Sequence, residues 1–225
     1  TDPPRVPEEN PTGCYRRTFE LPENWAGREV YISFESADSA LYVWINGQFV
    51  GYSQDSRLPA MFRITEFIQA GVNTIAAKVL RYCDGAYLED QDYWHLSGIQ
   101  RDVILFSKPR VHLYDWKIET RFGADCRDAT LRIRALLNTD TGRDLEGYRV
   151  DAMLYDTDGI PLWGAPASAE VRSTTQGYQP LGFEKGAASF DVPVHNPQHW
   201  TAETPYLYTL GLTLLGPDGA ALDFE

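Results

Sequence analysis

"ALYVWINGQFVGYS", residues 40–53, reads as two short strands joined at Asn46-Gly47. Aromatic and β-branched residues fill both arms, and such residues suit a pleated, half-buried surface. Asn-Gly is the strongest short hairpin signal, because both residues accept the positive φ of a type I′ turn. The same habit runs outward in both directions. Upstream, "YRRTFELP" (15–22) alternates in part and stops at a proline, and "EVYISFES" (29–36) puts Val30, Ile32 and Phe34 on one face. Downstream, strands are predicted over "NTIAAKVLRY" (73–82), "RDVILFSKP" (101–109), "HLYDWKIETRF" (112–122), "ATLRIRALLNT" (129–139), "YRVDAMLYDTDG" (148–159), "AASFDVPV" (187–194) and "YLYTLGLTLLGPDG" (206–219). Helix signals are thin. "ITEFIQAG" (64–71) offers Thr65 as a cap, an apolar turn and Gly71 as a stop, enough for a turn or two.

The chain is therefore all-β, and so many short strands at this spacing predict β-sandwiches. A strand ends at Ser107-Lys108-Pro109 and a new series begins, so the boundary falls there, between residues 1–109 and 110–225. One stretch, 162–186, reads as a long irregular loop, and loops beyond about 12–15 residues are commonly functional insertions or surface excursions.

The net charge of −12 argues against a phosphate backbone as partner. No run approaches the roughly 20 apolar residues that span a bilayer, so no membrane role is expected. Cys14, Cys83 and Cys126 are odd in number and lack metal-ligand spacing, which predicts reduced thiols and a cytoplasmic setting. Cys14 and Cys83 lie in apolar strand contexts and are expected in the core. Trp200, Tyr206 and Tyr208 are likewise read as core plugs. His195 and His199 are four apart, but Pro197 between them forbids the helical geometry that would join them on a metal.

Chemistry concentrates in "YLEDQDYWHLSGIQRDV" (87–103), which sets Glu89, Asp90 and Asp92 among Tyr87, Tyr93, Trp94 and His95. On a strand, Asp90 and Asp92 would share a face about 6.6 Å apart. Glycosidase carboxylates need roughly 5–9.5 Å, but they must flank a sugar ring, and neighbours on one strand cannot straddle it. Three readings stay open from the residues alone: oxygen ligands for a hard cation, a sugar contact built of carboxylates and aromatic faces, or an ordinary acidic loop. Serine-hydrolase, phosphate-loop and zinc-protease motifs are absent.

"VPEENPTGCYRRTF" (6–19), "SALYVWINGQFVGYSQDSRLPAMFRIT" (39–65), "YLEDQDYWHLSGIQRDV" (87–103) and "NPQHWTAETPYLY" (196–208) resemble, in order, the large bacterial β-galactosidases of glycoside hydrolase family 2. The resemblance implies a jelly-roll, sugar-binding-like domain whose first strands are missing, then an immunoglobulin-like sandwich lacking its last strand. It implies a parent enzyme that hydrolyses terminal β-galactosides such as lactose with retention, whose (β/α)₈ barrel lies outside this chain. The catalytic glutamates and the magnesium ligands sit in that barrel, so this chain is expected to be inactive alone and to bind no cofactor alone. One residue carries over. The second aspartate of "DQD", Asp92, is expected to reach the barrel's active site, contact galactosyl hydroxyls and share a sodium ion. Glu89, Asp90 and Trp94 are expected to shape the loop, and the segment departs from the family pattern at Tyr93, His95 and Gln100. Loop 162–186 matches the place where some members reach towards a neighbouring subunit. The implied partners are the galactoside substrate, the remaining domains of the same chain and further copies in a homo-oligomer. The alternatives are a free-standing carbohydrate-binding module, or the same domains of a β-glucuronidase or β-mannosidase.

Overall fold

The computed structural model describes residues 2–92, 94, 96–139, 144–173 and 186–225. Contacts divide the chain into two units, Thr1–Lys108 and Pro109–Glu225, each with its own buried cluster. Among the described residues, regular structure consists of strands and two 3₁₀ turns.

The first unit contains β1 (Thr12–Glu20), β2 (Glu29–Phe34), β3 (Ala37–Asp38), β4 (Ala40–Ile45), β5 (Gln48–Ser53), β6 (Ala60–Arg63), β7 (Val72–Leu80), β8 (Gly98–Ile99) and β9 (Val103–Lys108). One sheet runs β1-β7-β4-β5 and the other β6-β2-β9, with β3-β8 as a short third pair, all antiparallel. Val30, Ile32 and Phe34 of β2 meet Leu41, Val43 and Ile45 of β4 in one apolar cluster. β4 shows the predicted period-two burial, with Tyr42 and Trp44 half-buried between its core residues, whereas all six residues of β2 are buried; the shared cluster makes this unit a sandwich.

The predicted Asn-Gly turn joins β4 to β5, with φ of 50° at Asn46 and 81° at Gly47. Asn46 does more than tolerate the turn. Its Nδ2 donates to the Phe67 carbonyl (2.9 Å) and to Asn73 Oδ1 (2.8 Å), while its Oδ1 accepts the Thr74 N–H (2.9 Å). Asn73 is fully buried and keeps its own bonds to Gln69 and Gly71, so the loss falls on the Thr74 N–H and the Phe67 carbonyl. Asn46→Ala removes three hydrogen bonds and puts a Cβ-bearing residue without a local acceptor at positive φ. We expect a loss of about 3 kcal/mol, read as a lower urea midpoint; an unchanged midpoint would contradict the hub role.

The second unit contains β10 (Val111–Phe122), β11 (Ala129–Thr139), β12 (Arg149–Tyr155), β13 (Ala167–Glu170), β14 (Arg172–Ser173), β15 (Gly186–Val194), β16 (Thr209–Leu215) and β17 (Ala221–Phe224). Its sheets run β10-β11-β15-β14 and β13-β12-β16-β17. Lettered in chain order with a C′ after C, they read A-B-E-D and C′-C-F-G, the immunoglobulin arrangement. Ile133, Ala135, Leu137, Val150, Ala152, Leu212 and Leu214 fill the space between them. The Tyr208 hydroxyl accepts the Gln198 N–H at 2.8 Å just before β16, a tyrosine corner that ties the crossover to the F strand.

Several expectations change. The 64–71 segment is a single turn, as expected, closed by the Phe67 N–H on the Ile64 carbonyl at 2.9 Å. Thr65 does not cap it: its hydroxyl accepts the Val30 N–H and donates to Glu29 Oε2, both at 2.9 Å. Loop 162–186 is not irregular throughout, because β13 and β14 fall inside it; residues 174–185 lie outside the described residues, as do Tyr93 and His95. The edge expected to lack a last strand is occupied over Ala221–Phe224, where β17 pairs with β16. The intervening Pro217-Asp218-Gly219 turn closes through Gly216 and Ala220 (2.9 Å), with Gly219 at φ 80°. The sequence reading missed this strand because it is only four residues long. Cys83 is buried as expected, but Cys14 is exposed, since it sits on the outward side of edge strand β1. Trp200 is 61% exposed and is no core plug.

Candidate functional site

The segment with the candidate carboxylates leaves β7 at Leu80 and returns to the sheet at β8. Buried Cys83 opens it, with Sγ 3.6 Å from the Ser39 carbonyl. A 3₁₀ turn, Asp84–Tyr87, follows, and the Tyr87 hydroxyl donates to the Arg5 carbonyl at 2.6 Å. Beyond Leu88 the backbone is not a strand, so Asp90 and Asp92 do not share a strand face. The premise behind comparing them with a catalytic pair fails, which agrees with rejecting that pair on other grounds.

The three carboxylates have different settings. Glu89 is partly buried and turns inward. Its Oε1 accepts the Ser56 N–H (2.8 Å) and its Oε2 the Ser56 hydroxyl (2.6 Å). Asp90 and Asp92 are exposed. Near Asp92 in the sequence are Leu88, Trp94 and Leu96, which are 90%, 87% and 62% exposed. Large apolar side chains this open in one loop form a surface that water serves poorly, the mark of a segment made to contact something.

Under the loop lies "QDSRLP" (54–59), the run between β5 and β6. Asp55 Oδ1 accepts the Arg57 and Leu58 N–H groups at 3.1 and 3.0 Å and shapes it as an Asx turn. Ser56 is fully buried, and its carbonyl accepts the hydroxyl of fully buried Ser36 at 2.7 Å. Asp38, 8% exposed, lies 3.5 Å from Ser56 Oγ and 3.8 Å from the Arg57 guanidinium. Arg57 Nη1 donates to Gln100 Oε1 at 2.8 Å, and Gln100 Nε2 donates to the Leu96 carbonyl. Asp38, Ser36, Ser56 and Arg57 are the residues that sequence reasoning did not assign. Ser56 and Arg57 lie in a run that carries the resemblance, but nothing in the sequence marked them, Ser36 or Asp38 as the support of the acidic loop.

A cleft of about 760 Å³ opens between β1 and β9, lined by Tyr15, Phe19, Ile32, Phe34 and Leu105 among others. In the second unit a recess of about 460 Å³ is lined by Phe122, His199, Trp200, Tyr206 and Leu210, with His199 stacked on Phe122 at 4.6 Å. Neither is lined by a carboxylate. Hydrolysis of a glycoside by the usual route uses two carboxylates flanking the bond. His195 lies 3.5 Å from Asp128, and no group of three metal-capable side chains forms among the described residues.

The profile "Glycosyl hydrolases family 2, sugar binding domain" matches residues 1–109, and "Glycosyl hydrolases family 2" matches residues 111–224. The chain belongs to glycosyl hydrolase family 2. Among curated members of the family, it is 40% identical over 225 residues to a β-galactosidase of Priestia megaterium, covering 100% of this chain and 21% of that protein. It is 45% identical over 233 residues to a β-galactosidase of Aeromonas hydrophila, with the same two coverages. This family 2 chain thus spans about a fifth of the length of these relatives. Among solved family structures, a Bacteroides uniformis β-glucuronidase superposes with a TM-score of 0.80 at 27% identity, covering 95% of this chain and 25% of that one. A putative β-galactosidase from Bacteroides fragilis, at TM-score 0.78 and 20% identity over 95% of this chain and 32% of the other, shares the fold. Among the described residues, no helix is long and apolar enough to cross a membrane.

Proposed function

We propose that this chain is the non-catalytic N-terminal part of a retaining β-galactosidase, residues 1–109 and 110–225 being its jelly-roll and immunoglobulin-like domains. In this reading further strands of the jelly roll belong to the parent, and the loop 88–96 enters an active site completed by a barrel. Asp92 accepts galactosyl hydroxyls there and serves as one ligand of a sodium ion. The observation that carries the reading is the loop itself: an exposed carboxylate between uncovered Leu88 and Trp94, standing on a buried polar base. The whole-chain identity to proteins named β-galactosidase supports the substrate.

The donor set fits the sodium only in part. A hard cation takes about six oxygens. Asp92 offers a carboxylate, and the described residues form no cluster to complete the shell. Asp92 would then be a partial ligand whose companions come from elsewhere in the parent, where the cation would supply charge balance beside the sugar. The magnesium of the parent is assigned to the barrel and to no residue here. The parent is taken to be a cytoplasmic homo-oligomer. Three free cysteines, two of them exposed, accord with a reducing compartment.

This reading expects no hydrolysis of 4-nitrophenyl β-galactoside by the 225-residue chain above the spontaneous rate. Turnover by a clean preparation would overturn it. The likeness to β-glucuronidases favours a second reading, in which the parent cleaves glucuronides. Full-length protein assayed on matched β-galactoside and β-glucuronide separates the two, and the first reading expects the galactoside to win.

A further inference from the structure

We propose that Glu89 and Gln100 are paired positioning residues that pin the two feet of the Asp92 loop to adjacent residues, Ser56 and Arg57. The proposal rests on the reading of Asp92 as a substrate contact and adds what holds it there. Glu89 precedes Asp92 and Gln100 follows it, directly after β8, which pairs with β3. At the first foot, both oxygens of one carboxylate grip a single serine through its N–H and its hydroxyl. Ser56 cannot yield, because it is fully buried and anchored through its carbonyl to buried Ser36. At the second foot, Gln100 accepts from Arg57 and donates to the Leu96 carbonyl, fixing the descending limb. The Gln100 backbone N–H also bonds to the Ser36 carbonyl, at 3.2 Å.

Asp38 stands between the feet, with Oδ1 3.5 Å from Ser56 Oγ and Oδ2 3.5 Å from Gln100 Nε2. Both of these contacts are at the long limit of a hydrogen bond, so the two clamps rest on Glu89 and Gln100. Arg101 closes the cluster by donating to the Arg57 carbonyl at 3.2 Å. A loop that carries a binding group gains from such restraint, because ordering is then completed before the substrate arrives. A displacement of about 1 Å in a positioning element can cost roughly 10²-fold in rate.

The test is a double-mutant cycle in the full-length enzyme, read as kcat/KM on a β-galactoside. Glu89→Ala is expected to lower it about tenfold or more. In an Asp92→Ala background the same change is expected to cost less than about twofold, because a group that acts only through Asp92 has nothing left to position. Equal losses in both backgrounds would overturn the proposal by assigning Glu89 a general structural role, and no loss in the wild-type background would overturn it outright. Gln100 is exposed, so Gln100→Ala runs the same cycle where Glu89→Ala fails to fold. Should Asp92→Ala itself leave kcat/KM unchanged, the reading of Asp92 fails and the proposal falls with it. A costly Asp92→Ala with a neutral or additive Glu89→Ala fails the proposal alone.

Discussion

Asp92→Ala in the full-length enzyme is expected to lower kcat/KM on a β-galactoside by about 10- to 100-fold while leaving the fold intact. The magnitude follows from hydrogen bonds to a charged group, each worth about 1.5–3 kcal/mol, with tenfold for every 1.4 kcal/mol or so. The direction follows from the setting. Asp92 is exposed on a loop clamped from below, so folding does not depend on its carboxylate. Substitutions at such surface positions change stability by about 0.5 kcal/mol at most. Asp92→Asn divides the role further. An amide still accepts a sugar hydroxyl but brings no negative charge to a cation, so a loss as deep as that of alanine marks the charge as the larger part. Wild-type kinetics in both variants, with the melting temperature unmoved, would remove Asp92 from the site.

Phe34→Ala is expected to have the largest effect on stability, a loss of about 3–5 kcal/mol. Phe34 is 1% exposed at the end of β2 and meets the Phe62 ring edge-on, with centroids 6.4 Å apart. Truncation leaves a void in a sandwich whose total stability is of the order of 5–15 kcal/mol. Two residues further on, Ser36 supports Ser56, so the strand that anchors Phe34 also leads into the base of the Asp92 loop. A urea titration followed by probes in the first unit should therefore move to a much lower midpoint. A midpoint within experimental error of wild type would mean that the cleft beside Phe34 collapses at little cost.

The reading of residues 40–53 as a hairpin holds residue by residue, because both of its signals are local. Aromatic and β-branched alternation is set by the pleat, and Asn46-Gly47 by the φ values the turn demands. The same locality made β2, β7, β11 and β15 legible within a residue or two, since each carries its own apolar period. Where the period is short, legibility ended: β6 is four residues, and β3, β8 and β14 are two each. Those pairs exist because a neighbour offers an edge, which no local pattern records. Trp200 failed for a related reason. Its aromatic character is local, but its exposure depends on what lies opposite.

The site divides along the same line. The acidic run 89–92 and its aromatic flank were visible as chemistry in the sequence, and resemblance singled out Asp92. The sequence by itself determined the class of the fold, through periodicity and turn chemistry, and the family, through its runs of matching residues. Only the tertiary structure decided that Glu89 turns inward to Ser56 while Asp92 faces out, and that Gln100 reaches Arg57. Those contacts join residues 33 and 43 positions apart across irregular backbone. Without a pleat or a helical turn to set a register, hydrogen-bond partners in such loops are chosen by where the surrounding strands deliver them.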